Sequence, residues 1–397
     1  MINIQQTIST FKALYGEGPV RVFQAPARVN LIGEHIDYNG GLVFPAALTL
    51  MTVVVARPRQ DGIIAVAADT LPGIKVECPL GLLGYMKGRS YGAYQLGVAD
   101  ELLKAGYQLV GADLLYTTDI PFGSGLSSSA SIEVATAVTL ATLGMEAHGQ
   151  PVKLDMKELA VIGQRAENKF VGVNCGIMDQ FASANGKQDH AVLLDCATLD
   201  FQHVPLVLGD YRIVITNTNK PHNLIESKYN QRRSECEQGL AMLQGVLPDL
   251  KFLCELTPDE LVKHQGVITD PVVLQRVTHV VGEQDRVLKA VNALKANDLV
   301  LMGQLMTASH TSLRDDYEVT GIELDTLNAA ALKVEGVLGS RMTGAGFGGC
   351  IVSLVHKDAL DTFKTQVEAE YYQAIGYHAT CYVSAVGAGA GEYVWQP

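Results

Sequence analysis

The sequence contains few cysteines and no paired cysteine motif. Its seven cysteines are odd in number and scattered, with no CxxC pair and no Cys/His cluster at zinc-finger spacing. This pattern excludes a disulfide-stapled scaffold and a zinc module, and it indicates a protein of a reducing compartment. The cysteines are Cys78, Cys175, Cys196, Cys236, Cys254, Cys350 and Cys381.

Basic residues are also scarce. Lys and Arg number 30 against 42 Asp and Glu, so the formal net charge is −12, the wrong sign for a protein that binds nucleic acid or anionic lipid. The first residues, MINIQQTISTF, have neither the basic nor the apolar region of a signal peptide. No uncharged apolar run reaches the roughly 18 residues of a membrane span. We expect a cytoplasmic protein with no nucleic-acid or membrane partner.

Recognisable linkers and internal repeats are absent too, so domain boundaries must be inferred from secondary structure. A length of 397 residues, at about 150 residues per domain, predicts two or three domains. Because strands and helices do not strictly alternate, the pattern predicts an α+β fold. Strands are predicted within residues 20–69, in VRVFQAP, then GLVFPAAL and LTLMTVVVARP, the last ended by Arg57-Pro58. Further strands are predicted at 211–218, 350–355 and 380–386, and helices at 126–143, 227–243, 272–295, 297–313, 322–333 and 358–373.

The segment PFGSGLSSSASIEVA, residues 121–135, has the composition of an anion-binding loop. Gly123 and Gly125 can adopt positive φ, and the helix that follows presents free N–H groups and roughly half a positive charge at its first turn. A phosphate fits there although the Walker sequence GxxxxGK[ST] is absent. The alternative is that glycine and serine merely cap a helix.

The segment PARVNLIGEHIDYNGG, residues 26–41, concentrates polar groups among turn formers. Arg28, Glu34, His35 and Asp37 offer the fixed donors and acceptors that would hold the hydroxyl groups of a small polyol. The alternative is a solvated acidic loop with a surface Arg/Glu pair, which contributes little to stability.

The segment RMTGAGFGGC, residues 341–350, contains a literal GxGxxG in Gly344, Gly346 and Gly349. A dinucleotide fingerprint opens a helix, whereas a strand-like CIVSLV follows these glycines, so a Rossmann site and a nicotinamide-dependent oxidoreductase are disfavoured. A glycine-dense loop between strands still allows close approach to a phosphate or a substrate, and the alternative is a tight hairpin without a ligand.

A fourth segment, AENKFVGVNCGIMDQF at residues 166–181, supplies Glu167 and Asp179 in surroundings poor in charge. Because Ile177, Met178 and Phe181 flank Asp179, we expect it to be partly desolvated, and it then needs a nearby cation to remain charged. Arg28 is the candidate for that cation. The alternative is an aspartate that caps a helix.

Taken in their order along the chain, the four segments resemble the GHMP family of small-molecule kinases, and most closely its galactokinases. The resemblance extends from about residue 20 to the end. The resemblance implies a two-domain GHMP kinase fold with the active site between the domains. Residues 1–207 would form an N-terminal mixed α/β domain and residues 208–397 a C-terminal ferredoxin-like α+β domain. It also implies a monomeric enzyme that transfers the γ-phosphate of ATP to the anomeric hydroxyl of galactose, with Mg²⁺ as cofactor, in the first committed step of galactose catabolism.

The resemblance further implies roles for individual residues. Asp179 would face the anomeric hydroxyl as the catalytic carboxylate, and Arg28 would keep it ionised and stabilise developing charge. Mg²⁺ would be held by Ser129 and Glu167. The implied sugar-binding residues are Glu34, His35, Asp37, Gly176 and Tyr229. The implied ATP-binding residues are Gly123, Ser124, Gly125, Leu126, Ser127, Ser128 and Ser129.

Two positions depart from the usual galactokinase pattern and leave sugar selectivity open. Ile36 stands where these enzymes usually have Thr, and Ala27 where they usually have Gly. Two alternatives therefore remain: a related kinase acting on N-acetylgalactosamine or arabinose, and a non-catalytic sensor of galactose and ATP. The presence of both Asp179 and Arg28 argues against the sensor. Whether Asp179 is a true general base or acts mainly electrostatically is also open.

Overall fold

The structure, a computed structural model, describes residues 2–88, 91–121, 123–220 and 225–394, without the side chains of 225–227. Phe122, within the predicted anion-binding segment, lies outside the described residues. The strands are β1 (Arg21–Asn30), β2 (Leu42–Val43), β3 (Pro45–Arg59), β4 (Ile63–Ala68), β5 (Lys75–Pro79), β6 (Gly111–Thr118), β7 (His190–Asp195), β8 (Phe201–Pro205), β9 (Tyr211–Asn217), β10 (Val337–Thr343), β11 (Cys350–His356), β12 (Thr380–Ser384) and β13 (Gly391–Glu392).

The helices match the predicted helical segments closely and add several short ones. They are α1 (Ile4–Tyr15), α2 (Ala93–Lys104), α3 (Ser128–Ala147), α4 (Met156–Ala166), α5 (Met178–Asn185), α6 (Ile225–Gln244), α7 (Pro258–His264), α8 (Pro271–Lys295), α9 (Leu299–Asp315), α10 (Ile322–Leu332) and α11 (Leu360–Ile375).

The N-terminal half is built on a six-stranded sheet in the order β13-β1-β3-β6-β4-β5. Helix α3 packs on β1 and β3 and also against α2, α4 and α5. Its residues are Ala, Val, Thr and Leu on nearly every face, and most of them are buried, as expected for a helix surrounded by other elements. A small sheet of β2, β7 and β8 completes this half.

Strand β3 is longer than the sequence predicts. Two strands were expected in this region, the second ending at Pro58, but one strand runs from Pro45 to Arg59. Its pairing with β1 ends at Ala56, whereas pairing with β6 continues to Arg59. At Pro58 the strand therefore has a paired neighbour on one side only, and such an edge position is where a sheet tolerates proline.

The C-terminal half has a four-stranded antiparallel sheet in the order β10-β11-β9-β12. Numbered along the chain within this sheet, the order is 2-3-1-4, which is the topology of a ferredoxin-like split βαβ fold. Helices α7 to α10 extend the first crossover, from β9 to β10, and α11 forms the second, from β11 to β12. The predicted α+β class and the ferredoxin-like C-terminal sheet are confirmed.

The chain finally returns to the first sheet, where β13 pairs with β1 through Phe23 opposite Glu392. Residues 391–392 therefore lie in the N-terminal sheet although the sequence assigns them to the second domain. The boundary after residue 207 otherwise stays a prediction.

Helix α9 and strand β10 approach each other through two glycines. A Cβ atom added to Gly303 would lie 2.3 Å from the carbonyl oxygen of Leu338, and one added to Gly339 would lie 2.0 Å from the carbonyl oxygen of Gly303. Both distances are shorter than any normal contact, so only glycine permits this packing.

We predict that Gly303→Ala destabilises the protein by about 1–3 kcal/mol, because the helix must move off the strand. Thermal unfolding measures the change, at about 2–4 °C of Tm for each kcal/mol in a domain of this size. Gly266→Ala, where an added Cβ meets open space, is the control and should leave Tm unchanged. Equal Tm values for the two variants would contradict the prediction.

Candidate active site

The predicted anion-binding loop connects β6 to the start of α3. Gly123, Gly125 and Ser127 all have positive φ, at 66°, 71° and 63°. Helix α3 begins at Ser128, and Ser127 occupies its N-cap position without a side-chain capping bond. The buried hydroxyl oxygen of Ser124 has no hydrogen-bond partner among the described residues. The loop therefore presents a free helix end and an unpaired hydroxyl, which suit a phosphate better than a simple cap does.

The glycine-dense segment at residues 341–350 lies directly against this loop. It forms the turn between β10 and β11, so the strand context predicted for it is confirmed. A Cβ atom on Gly344 would lie 2.8 Å from the carbonyl oxygen of Gly125, and one on Gly349 would lie 3.2 Å from that of Ser124. The segment is therefore neither a dinucleotide fingerprint nor an isolated hairpin, since its glycines let the second domain reach the loop.

Asp179 and Arg28 form a bidentate ion pair. Arg28 Nε lies 2.8 Å from Asp179 Oδ1 and Nη2 lies 2.7 Å from Oδ2, and Ser127 Oγ also donates to Oδ2. The remaining nitrogen, Nη1, donates to the carbonyl oxygen of Gly125 at 2.6 Å. The side chain of Arg28 is 4% exposed and that of Asp179 is 31% exposed. Asp179 is thus charge-paired and still open to the cleft.

The helix-capping alternative for Asp179 is not what the structure shows. Helix α5 begins at Met178 and Ile177 holds the N-cap position, so Asp179 lies inside the first turn. There the helix dipole favours a negative charge.

Glu34 reaches the cleft from the loop after β1, where its carboxylate meets Arg341. Arg341 Nη2 donates to Glu34 Oε2 at 2.7 Å, and both side chains are buried. Burial raises the pKa of Glu34, and the guanidinium of Arg341 opposes that shift. Glu34 therefore does not form a solvated surface pair within residues 26–41. Its partner is Arg341 of the second domain, and the pair is buried.

His35 uses both of its ring nitrogens within the protein. Nε2 lies 3.1 Å from the carbonyl oxygen of Ala345 and Nδ1 lies 2.9 Å from the hydroxyl of Tyr38. Burial lowers the pKa of His35 to about 3, so the ring is neutral. A direct hydrogen bond from this ring to a sugar hydroxyl, as the resemblance implies, would require one of these two bonds to break.

Asp37, Gly176 and Tyr229 complete the side of the cleft expected to bind sugar. Burial, reinforced by the charge of Asp179, raises the pKa of Asp37 to about 7. A Cβ atom on Gly176 would lie only 1.8 Å from Asp37 Oδ2. The ring of Tyr229, on α6, lies 5.4 Å from the ring of His35.

These residues enclose one cleft with a cavity volume of about 190 Å³. The structure thus brings together eight residues that the sequence predicts for the site: Arg28, Glu34, His35, Asp37, Glu167, Gly176, Asp179 and Tyr229. Ile36 is fully buried, and its side chain lies close to Gly41 rather than among the residues that line the cleft.

Glu167 lies on a π-helical turn that extends α4, and such turns are frequent at functional sites. Gln180 Nε2 donates to Glu167 Oε2 at 2.7 Å and to Glu133 Oε2 at 2.8 Å. Glu133 Oε1 is buried and has no partner in the described part of the chain. Burial raises the pKa of Glu167, and a hydrogen bond from Ser129 opposes that shift. No group of three metal-ligating His, Cys, Asp or Glu side chains occurs within the described ranges.

Sequence reasoning missed two residues of this region. Tyr38 lies inside residues 26–41, a segment that the sequence analysis selected, so the density of polar groups around this tyrosine was a usable signal. Tyr317 contacts both Tyr38 and His35 but belongs to no recognised segment, because its position depends on contacts that are distant in sequence.

The whole chain is similar to known galactokinases. Residues 9–58 match the family model "Galactokinase galactose-binding signature", residues 93–187 match "GHMP kinases N terminal domain" and residues 290–373 match "GHMP kinases C terminal". A galactokinase of Clostridium tetani is 47% identical over 98% of each chain. One of Lactiplantibacillus plantarum is 45% identical over 98% of this chain and 100% of that relative.

Solved structures agree with the family models. The crystal structure of Lactococcus lactis galactokinase complexed with galactose has a TM-score of 0.94 and 42% identity, covering 98% of this chain and all of that one. A mevalonate kinase, at 17% identity and a TM-score of 0.65 over 92% of this chain and 98% of its own, shares the fold. Among the helices of the described residues, none combines the length and apolar character needed to cross a membrane.

We predict that Gly176→Ala raises the KM for the sugar by about tenfold or more, because the new methyl group would displace the carboxylate of Asp37 by about an ångström. Steady-state kinetics with varied sugar concentration measures the effect. Gly81→Ala, at an open position, is the matched control. An unchanged KM in Gly176→Ala would show that Asp37 does not depend on this close contact.

Proposed function

The chain belongs to the galactokinase family of GHMP kinases and is an ATP-dependent sugar kinase, and we propose that Asp179 and Arg28 carry out its chemistry at the anomeric hydroxyl of galactose. The observation that carries this proposal is the bidentate pair between these residues, which leaves the carboxylate partly open to the cleft while the guanidinium is buried. In the catalysed reaction the γ-phosphate of ATP moves to that hydroxyl, giving galactose 1-phosphate and ADP.

The hydrogen-bond count at Asp179 supports its role. A carboxylate offers about four acceptor positions, and Arg28 uses two of them while Ser127 uses a third. One position remains for the anomeric hydroxyl, which it can orient and whose proton it can accept. Phosphoryl transfer demands mainly an aligned nucleophile and neutralised phosphate charge, so positioning by Asp179 and positive charge from Arg28 meet both needs.

We propose that the loop from Gly123 to Ser129 holds the phosphates of ATP. Two observations support this proposal: the first turn of α3 has no side-chain cap, and the Ser124 hydroxyl has no partner among the described residues. Backbone N–H groups at a helix start bind anions without a lysine.

The same proposal places Mg²⁺ at Ser129 and Glu167. Hydroxyl and carboxylate oxygens are the ligands that Mg²⁺ prefers, and it commonly takes only one or two protein ligands together with substrate phosphates. A hydrogen bond from Ser129 to Glu167 already brings the hydroxyl and the carboxylate together. When bound, the ion would neutralise charge on the phosphates.

For the sugar, we propose that Glu34, Asp37, Gly176 and Tyr229 bind the hydroxyl groups, with His35 shaping the cleft between them. We also propose that a single chain, which supplies all of these residues, is the working unit. All seven cysteines, each within the described part of the chain, are free, which supports a cytoplasmic location, where thiols remain reduced.

We predict that Asp179→Asn lowers kcat by about 10²-fold to 10⁴-fold, because the amide cannot accept the sugar proton. Galactose binding, measured by calorimetry, should remain detectable. The matched control is Asp61→Asn, since Asp61 forms a similar bidentate pair with Arg59 at the surface. Turnover close to that of the wild type in Asp179→Asn would exclude the assigned role.

The sugar assignment is tested by ADP release with galactose, glucose, N-acetylgalactosamine and arabinose. We expect galactose to be the best substrate and its epimer glucose to be poor, because a site built to hydrogen-bond a hydroxyl rejects a misplaced one. Binding of galactose and ATP without any sugar phosphate would instead indicate a sensor, and preference for another sugar would correct the substrate.

A further inference from the structure

Tyr317 lies behind the loop after β1 (residues 31–41), in the connection between α9 and α10. It is fully buried and does not belong to the residues that line the cleft. Its ring centroid lies 5.0 Å from that of His35 and 4.5 Å from that of His279. His279 in turn lies 3.1 Å from the carbonyl oxygen of Glu34 through Nε2. Tyr317 is therefore packed against His35, which belongs to this loop, and against His279, which bonds the loop from α8.

A chain of hydrogen bonds with a defined direction links Tyr317 to the cleft. The carbonyl oxygen of Ala345 can only accept, so His35 Nε2 carries the proton and Nδ1 must accept from the hydroxyl of Tyr38. The oxygen of Tyr38 then accepts from the hydroxyl of Tyr317 at 2.8 Å. The oxygen of Tyr317 accepts from the thiol of Cys236 at 3.1 Å. Every donor in the chain has one assigned acceptor.

The thiol is suited to its place at the start of this chain. Burial raises the pKa of Cys236 to about 11, so Cys236 keeps its proton and acts as a donor at neutral pH. A series of hydrogen bonds that all point the same way is strengthened by mutual polarisation in a low-dielectric interior.

Two buried arginines fix the backbone that carries Tyr317. Arg276 Nη1 donates to the carbonyl oxygen of Asp316 at 2.6 Å, and Arg232 Nε donates to that of Tyr317 at 2.7 Å. Glu235 bonds both guanidinium groups and supplies their counter-charge. Because buried charges tolerate little displacement, the second domain holds the hydroxyl of Tyr317 at one position.

The other end of the chain meets the sugar side of the cleft. Tyr38 follows Asp37 directly, and the ring of Tyr229 lies 5.4 Å from the rings of both His35 and Tyr38. Loss of the Tyr317 hydroxyl would leave the oxygen of Tyr38 without its donor. The rings that neighbour Asp37 and Tyr229 would then be less firmly oriented.

We propose that Tyr317 is a positioning residue for galactose binding, acting through Tyr38 and His35 without touching the sugar. The inference rests on the proposed function, since it assumes that this cleft binds galactose. It distinguishes Tyr317 from a tyrosine that only stabilises the fold. Such a residue is Tyr116, whose buried hydroxyl donates to Thr136 Oγ1 at 2.7 Å, and Thr136 itself donates to a helix carbonyl oxygen.

The test compares Tyr317→Phe with Tyr116→Phe, because each substitution removes one buried hydroxyl that donates to another hydroxyl oxygen. We expect Tyr317→Phe to raise the Kd and KM for galactose about fivefold, the effect of about 1 kcal/mol. The kcat and the KM for ATP should stay within about twofold. Tyr116→Phe should leave the galactose constants unchanged even if its Tm falls.

A second variant tests the same link from the cleft side. Tyr38→Phe should also weaken galactose binding, and the double variant should be less affected than the sum of the two single changes, because both act through one chain. Additive effects, or unchanged galactose constants in Tyr317→Phe, would overturn the inference while wild-type activity still supports the proposed function. Failure of the wild type to bind galactose would overturn both.

Discussion

The site depends on the ion pair between Arg28 and Asp179, because it joins three separate parts of the chain. Arg28 belongs to β1 and Asp179 to the first turn of α5. The carbonyl oxygen of Gly125, in the proposed phosphate loop (residues 123–129), accepts from the third nitrogen of the guanidinium. A buried guanidinium that loses its partner costs about 3–5 kcal/mol. The pair therefore constrains the position of the loop as well as the state of the carboxylate.

A second set of buried contacts brings the two domains together at the same place. Arg341 on β10 bonds Glu34 and the carbonyl oxygen of Asn30. Glu283 on α8 accepts from the backbone N–H of Gly33 at 2.9 Å. The loop after β1 is thus held largely by the second domain, so the cleft exists only when both domains are packed together. Charges placed this deep favour one arrangement strongly because any other leaves them unpaired.

Local physical preferences explain where the sequence was informative. The helices at 272–295 and 322–333 follow from apolar periodicity, and the glycines of the phosphate loop follow from the need for positive φ. The sequence left open those features that depend on neighbouring elements. Strand β3 continues through Pro58 because β1 has already ended beside it. Ser127, the N-cap residue of α3, donates its hydroxyl hydrogen bond to Asp179, which is 52 residues away in the sequence.

The sequence by itself determined the family, the class of reaction and the residue types of the cleft, because each of these is carried by short segments whose composition is informative alone. Only the tertiary structure decided which groups meet. It paired Glu34 with Arg341, occupied both nitrogens of His35, and placed Tyr317 behind the loop. Partners separated by hundreds of residues are selected by packing and by the need to pair every buried charge, and neither condition leaves a local pattern.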